Sequence, residues 1–175
     1  MKAFAVEFYK NGKLLRNKIK NHPRYPYHLL REEMQEFILD KLQLLIERKL
    51  IKGIGENGTE YTVIAQILDL PKEILRLIQK FDFTKKNPKL IYINTGETMI
   101  SLQDSILVTF LNLAGFDILF FVPTGYQSVE NYFAEKLMEE HQIGEYKYDM
   151  QVPDLNNIST NSTRPSWRRK LFRRG

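Results

Sequence analysis

The stretch KLIYINTGETMISLQDSILVTFLNLAGFDILFFVPTGY, residues 89–126, decides the fold. It opens with a short apolar run, Leu90-Ile91-Tyr92-Ile93, and turns at Asn94-Thr95-Gly96-Glu97. A helical pattern starts near Ser101, where Ser101 and Asp104 form an S-x-x-D cap signature. Its apolar positions are Ile106, Leu107, Phe110, Leu111 and Leu113, and Gly115 is its expected end. Asp117 leads a second apolar run, Ile118-Leu119-Phe120-Phe121-Val122, which stops at Pro123-Thr124-Gly125-Tyr126. Strand, loop, helix, strand is one βαβ unit, with a right-handed crossover as the default. The second strand hardly alternates, so both its faces are expected to be covered, as in a parallel sheet.

Downstream, Val129, Tyr132, Phe133 and Leu137 predict a helix over Ser128–Glu140, and residues 145–150 alternate as a third, edge strand. The fold class is therefore read as α/β, a Rossmann-like βαβαβ core with a mostly parallel sheet, preceded by a helical lobe. The expected organisation is an N-terminal hairpin, arm and helical lobe over 1–83, the core over 84–152, and a polar linker with a basic disordered tail over 153–175.

Upstream, residues 3–9 alternate loosely, and Asn11-Gly12 predicts a type I′ hairpin, because both central residues need positive φ. Residues 16–28 are basic, hold two prolines and two tyrosines, and read as an extended connector, either packed by its tyrosines or contacting phosphates. Met34, Phe37, Ile38, Leu42, Leu45 and Ile46 predict a helix over 30–50, ended by Gly53. Gly53-Ile54-Gly55-Glu56-Asn57-Gly58 is a literal GxGxxG. A helix rather than a strand precedes it and no Walker lysine follows, so a plain loop is the expectation over a phosphate loop. Residues 60–68 fit either a strand or a short helix, and Pro71 opens a further helix with Leu70, Ile74, Leu75, Leu77, Ile78 and Phe81 as its apolar face. Helix, short element, helix has the outline of a winged-helix unit, although the exposed side of 71–80 is only mildly basic.

The net charge of +5 is unevenly spread: residues 1–31 carry +7, residues 164–175 carry +6, and residues 32–163 carry −8. The basic balance belongs to the ends, so it is no argument that the whole domain binds nucleic acid. With 43% hydrophobic residues the chain can bury a core. The absence of cysteine excludes disulfides, thiolate metal sites and a cysteine nucleophile. Glu7 breaks the only N-terminal apolar run, so no signal peptide is read. Thr109, Asn112, Gly115 and Asp117 interrupt 106–122, so no transmembrane segment is read. A cytoplasmic location is expected.

In open α/β sheets ligands sit beyond the carboxyl ends of the strands. That places the candidate ligand-binding residues in two turns: Thr95, Gly96 and Glu97, and Thr124, Gly125 and Tyr126. Glycine lets backbone approach closely, and threonine hydroxyls with helix N-terminal amides suit an anion. Glu97 is placed to act as a base or a magnesium ligand, and Tyr126 as a stacking wall. The plainer reading is that Thr-Gly makes each turn and Glu97 is solvated. His22, His28 and His141 form no constellation, no carboxylate pair has catalytic spacing, and no G-x-S-x-G elbow exists. No catalytic residue, metal site or cofactor is assigned.

TEYTVIAQILDLPKEILRLIQKFDF, IYINTGE, SLQDSILVTFLNLAGFDILFFVPTGYQSVENYF and HQIGEYKYDM resemble the C-terminal portion of bacterial YceG-type proteins. The likeness covers most of residues 14–155, and FVPTGYQSVE, residues 121–130, carries most of its specificity. That family is described as a component of a "biosynthetic module" beside tellurium-resistance (Ter) and toxic-anion-resistance genes. The resemblance implies a cytoplasmic stress-response role and carries over no catalytic residue. It also implies a longer parent, of which this chain is a C-terminal piece. The expected function is to bind an anionic or nucleotide-like ligand at the strand ends within that module. The alternatives are a winged-helix-like nucleic-acid-binding protein and a non-catalytic scaffold. Expected partners are other Ter-module proteins or the missing N-terminal portion. The tail, with Trp167, Leu171 and Phe172 among its bases, is a candidate for contact with an anionic surface.

Overall fold

A computed structural model describes residues 2–80, 86–97, 99–126 and 129–151. The linker and basic tail expected over 153–175 lie outside the described residues, as do Phe81, Gln127 and Ser128.

The βαβ unit forms as the sequence predicts. β3 (Lys89–Ile93) pairs in parallel with β4 (Asp117–Phe121), with Leu90 opposite Ile118 and Tyr92 opposite Phe120. The crossover between them is α6 (Leu102–Leu113). Ser101 caps it, its Oγ accepting from the Asp104 amide at 3.0 Å. Ala114 closes it, with Gly115 following in the left-handed region. Leu90, Tyr92, Ile118 and Phe120 turn toward the core. The alternate residues do not, so the expectation that both faces of the second strand are covered fails among the described residues.

Three further helices build the body: α3 (Glu32–Glu47), α4 (Thr59–Ile67) and α5 (Lys72–Lys80). α3 buries Ile38, Leu39, Leu42, Leu45 and Ile46, the stripe its periodicity requires. Its end is Lys49 in the left-handed region rather than Gly53. The ambiguous segment 60–68 resolves as helix. α6 lies against both α3 and α4, so one hydrophobic cluster runs from Ala5 through the helices to Phe116.

The N-terminal segment differs from its expected strand pairing. α1 (Lys2–Ala5) and a 3-10 turn over Val6–Phe8 replace most of the first strand, which survives only as β1 (Tyr9–Lys10) against β2 (Lys13–Leu14). Asn11 and Gly12 have φ of +52° and +80°, the primed turn that Asn-Gly favours. The arm is not an extended connector either. It starts as α2 (Arg16–Lys20) and continues through turns that bury Ile19, Tyr25 and Tyr27. The Tyr27 hydroxyl donates to the Ile67 carbonyl and accepts from the Leu70 amide at 3.0 Å, tying the arm to the α4–α5 turn.

Two expected elements are absent. Residues 129–140 form no helix and 145–150 no strand, so the sheet has two strands among the described residues. Phe133 instead makes a bridge to Ile51, with the Lys52 amide donating to the Tyr132 carbonyl and the Ala134 amide to the Leu50 carbonyl. Those tertiary bonds fix an extended backbone that a helix cannot adopt.

Tyr27 and Tyr25 make a paired test. Tyr27→Phe leaves the Leu70 amide without its acceptor and is expected to cost about 1–3 kcal/mol in urea denaturation. The Tyr25 hydroxyl is buried with no hydrogen-bond partner among the described residues, so Tyr25→Phe is expected to be neutral or stabilising. Burial raises both phenols, Tyr25 from its ordinary 10 to about 12. Because ionisation is penalised in the native state, stability is unaffected by these phenols below pH 10 and falls as pH rises from there through their native values.

Candidate functional site

Parallel pairing sends both strands out at the same edge, so the loops after β3 and β4 must meet. The Asn94 amide donates to the Phe121 carbonyl at 3.0 Å and carries the ladder one residue past β3. The Tyr126 phenol lies near enough to the Glu97 carboxylate to feel its charge, so the two turns named from the sequence come together. The Glu97 charge is the chief reason that the Tyr126 phenol lies above its ordinary range, with slight desolvation adding to it.

The six candidate residues are placed as follows. Thr95 is half-buried, and Gly96 and Glu97 are exposed. The Gly96 amide donates to Asn94 Oδ1 at 3.3 Å, an Asx-type turn. Thr124 is only 6% exposed, and its Oγ1 faces the Tyr126 amide at 3.5 Å. Gly125 has φ +69°, which favours glycine, and the Tyr146 ring lies where a side chain at that position would begin. Tyr126 is 46% exposed.

Tyr146 escaped the sequence reading. It stands in the segment expected as a third strand, yet that segment crosses the β4 turn, held by the Lys147 amide donating to the Pro123 carbonyl at 2.8 Å. Tyr148 lies close enough to push the Tyr126 phenol up a little further. Three tyrosines and one carboxylate thus gather at the strand ends. Only the alternation of tyrosines in Glu145-Tyr146-Lys147-Tyr148 hinted at a shared face.

The α6 N-terminus is already occupied. Ser101 Oγ takes one amide, and the Asp104 carboxylate accepts from that hydroxyl at 2.7 Å. A carboxylate at this position satisfies the helix dipole and opposes a phosphate there. Burial, then the nearby Asp104 carboxylate, holds the Tyr92 phenol up.

The GxGxxG loop behaves as a plain loop between α3 and α4. The Glu60 carboxylate, almost fully buried, accepts from the Gly55 amide at 3.0 Å, so the chain itself fills the place a phosphate would take. The basic arm is similarly satisfied: Arg16 pairs with Glu36 and Asp40, Lys20 with Glu32 and Glu36, and Lys18 with Glu7. His22 packs on the rings of Phe4 and Phe8, and His28 bonds the Tyr25 carbonyl. No three metal-ligating side chains gather among the described residues. No described helix is long and apolar enough to cross a membrane.

A family model described as the YceG domain matches residues 1–163, most of the chain. The chain belongs to the YceG family. "Uncharacterized protein YceG" of Bacillus subtilis (strain 168) is similar to it, 31% identical over 93 residues. That match covers 51% of this chain and 17% of the relative, so this YceG chain matches a small part of that relative's length. No solved structure matches.

If the Glu97 charge is what holds the phenol up, Glu97→Gln returns it toward its ordinary 10. Carbon-13 NMR of labelled tyrosine rings reads the change directly, and an unaltered Tyr126 titration would refute that influence.

Proposed function

We propose that this chain is a ligand-binding α/β unit of a longer YceG protein, serving the cytoplasmic stress-response module that accompanies tellurium-resistance genes. The resemblance to proteins of that module supports the setting. The parallel β3–β4 pair with its helical crossover supports a Rossmann-like plan, in which further strands extend the sheet.

The ligand is nucleotide-like and is held by its ring rather than its phosphates. One observation carries this reading: the Tyr146 ring seated against Gly125 in the β4 turn, with exposed Tyr126 beside it and the Glu97 charge and Tyr148 close by. Exposed phenol rings offer stacking faces, and a carboxylate accepts from the amino edge of a base. The amide sites that would have taken phosphates, at α6 and in the glycine loop, are filled by Asp104 with Ser101 and by Glu60. Thr124 and Gly125 shape the turn under Tyr146 rather than meet ligand first.

The DNA-binding alternative keeps its helix-turn-helix outline in α4 and α5. Its wing has no counterpart in β3 and β4, which pair in parallel instead of forming a hairpin. Two of the arm's cations, Arg16 and Lys20, already face the acids of α3.

Calorimetric titration with a nucleoside, its monophosphate and inorganic phosphate tests the ring reading. The first two are expected to bind alike and phosphate not at all. Tyr126→Ala is expected to cost about 1–3 kcal/mol, or roughly 5- to 150-fold in Kd. Binding by phosphate alone, or affinity unchanged in both Tyr126→Ala and Glu97→Gln, would overturn it.

A further inference from the structure

The β3–β4 sheet has one finished face and one bare one. Leu90, Tyr92, Ile118 and Phe120 pack toward α6 and the helical core. The opposite face carries Ile91 and Ile93 beside Leu119 and Phe121, in register across the pair. Ile91 is 59% exposed and Leu119 57%. Lys89 and Asp117 head the same face and pair with each other at 2.9 Å, leaving everything beyond them apolar.

We propose that this face is the seat of an amphipathic helix supplied by the additional chain of a longer YceG protein. Three arguments select that occupant. A parallel sheet joined by crossover helices is buried on both sides, and here the second layer is missing among the described residues. The stretch matched in the Bacillus subtilis relative is 17% of that protein, so most of its chain is available to supply the layer. The area decides between a tethered helix and a second copy. The four side chains expose on the order of 300–400 Å², the size of an ordinary contact patch on a monomer. A stable dimer of separate chains needs about 800 Å² from each partner. One helix with Leu, Ile or Val at three- and four-residue spacing covers such a patch without help, because its covalent link removes the cost of association.

The surface is distinct from the strand-end turns, so its test does not depend on any ligand. The chain has no cysteine, and Leu119→Cys introduces a single thiol for a polarity-sensitive fluorophore. The intact labelled chain is then titrated with overlapping peptides that tile the unmatched part of the Bacillus subtilis relative. Alone, the label is expected to report water at every protein concentration. Peptides with an amphipathic helical pattern are expected to shift it to the blue and to gain helical circular dichroism on binding. Ile91→Asp, on the same face, is expected to weaken that binding by about tenfold or more, since it sets an unpaired charge against the apolar helix. Melting curves of Leu119→Cys and Ile91→Asp should match the parent, because both positions are exposed.

Four outcomes would overturn the proposal. A buried label in the isolated chain at all concentrations means that the chain covers its own sheet. A shift that grows with protein concentration alone means that a second copy does. A loss of cooperative melting in the conservative Leu119→Cys variant means that the face is already structural. No shift with any peptide means that the remaining chain does not seat there.

Discussion

Parallel pairing of β3 with β4 is the constraint on which the rest depends. Two parallel strands cannot be closed by a tight turn, so the chain must cross back over one face before the second begins. α6 is that crossover, and it meets the sheet on one side and α3 and α4 on the other. A helix in that position must be apolar nearly all round or satisfy its polar groups internally. Ser105 and Thr109 do the latter, each hydroxyl donating to the carbonyl four residues back, at 2.9 and 2.7 Å. Their small side chains also let neighbouring helices approach.

The arm shows how a charged segment is held without relying on its charges. Arg16, Lys18 and Lys20 all face acids. Partly exposed ion pairs are worth only about 0–1 kcal/mol each. What fixes the arm is burial of Ile19, Tyr25 and Tyr27 and the double hydrogen bond at the Tyr27 hydroxyl. The ion pairs of Arg16 and Lys20 offset part of the +7 of residues 1–31 against acids of α3. This pairing also makes a pI near 9.3 a poor guide to what the body of the protein binds.

Local signals were read correctly where local physics decides. The Ser101 cap, the Asn11-Gly12 turn and the stripe of α3 each depend on residues within a turn or two of one another. Convergence of 94–97 with 123–126 was legible too, because it follows from parallel topology rather than from side-chain detail. Segment 129–151 was misread because its helical and alternating patterns are weak beside the long-range bonds it makes. Val129 and Phe133 are buried as their spacing suggested, but not along a helix, and Phe133 reaches the segment after α3 through its bridge to Ile51. Tyr146 was missed for the same reason. Nothing near it in sequence says that its ring rests on Gly125.

The two unusual surfaces of the molecule belong to one element. β3 and β4 present tyrosines and Glu97 at their carboxyl ends and bare aliphatic side chains across one face. In a doubly wound sheet these features are related, because the ligand crevice opens where helices on opposite faces diverge. A sheet covered on one side alone supplies only one wall of such a crevice. The openness of Tyr126, nearly half exposed, is what one wall would show. A helix seated over Ile91 and Leu119 would run beside the strand ends, enclosing the tyrosines from the second side. It would also lower the local dielectric, which strengthens the electrostatic influence of Glu97 there. On this argument the proposed ligand binding and the proposed completion of the sheet are coupled, and a YceG chain that supplies the second layer is expected to bind more tightly than one that lacks it.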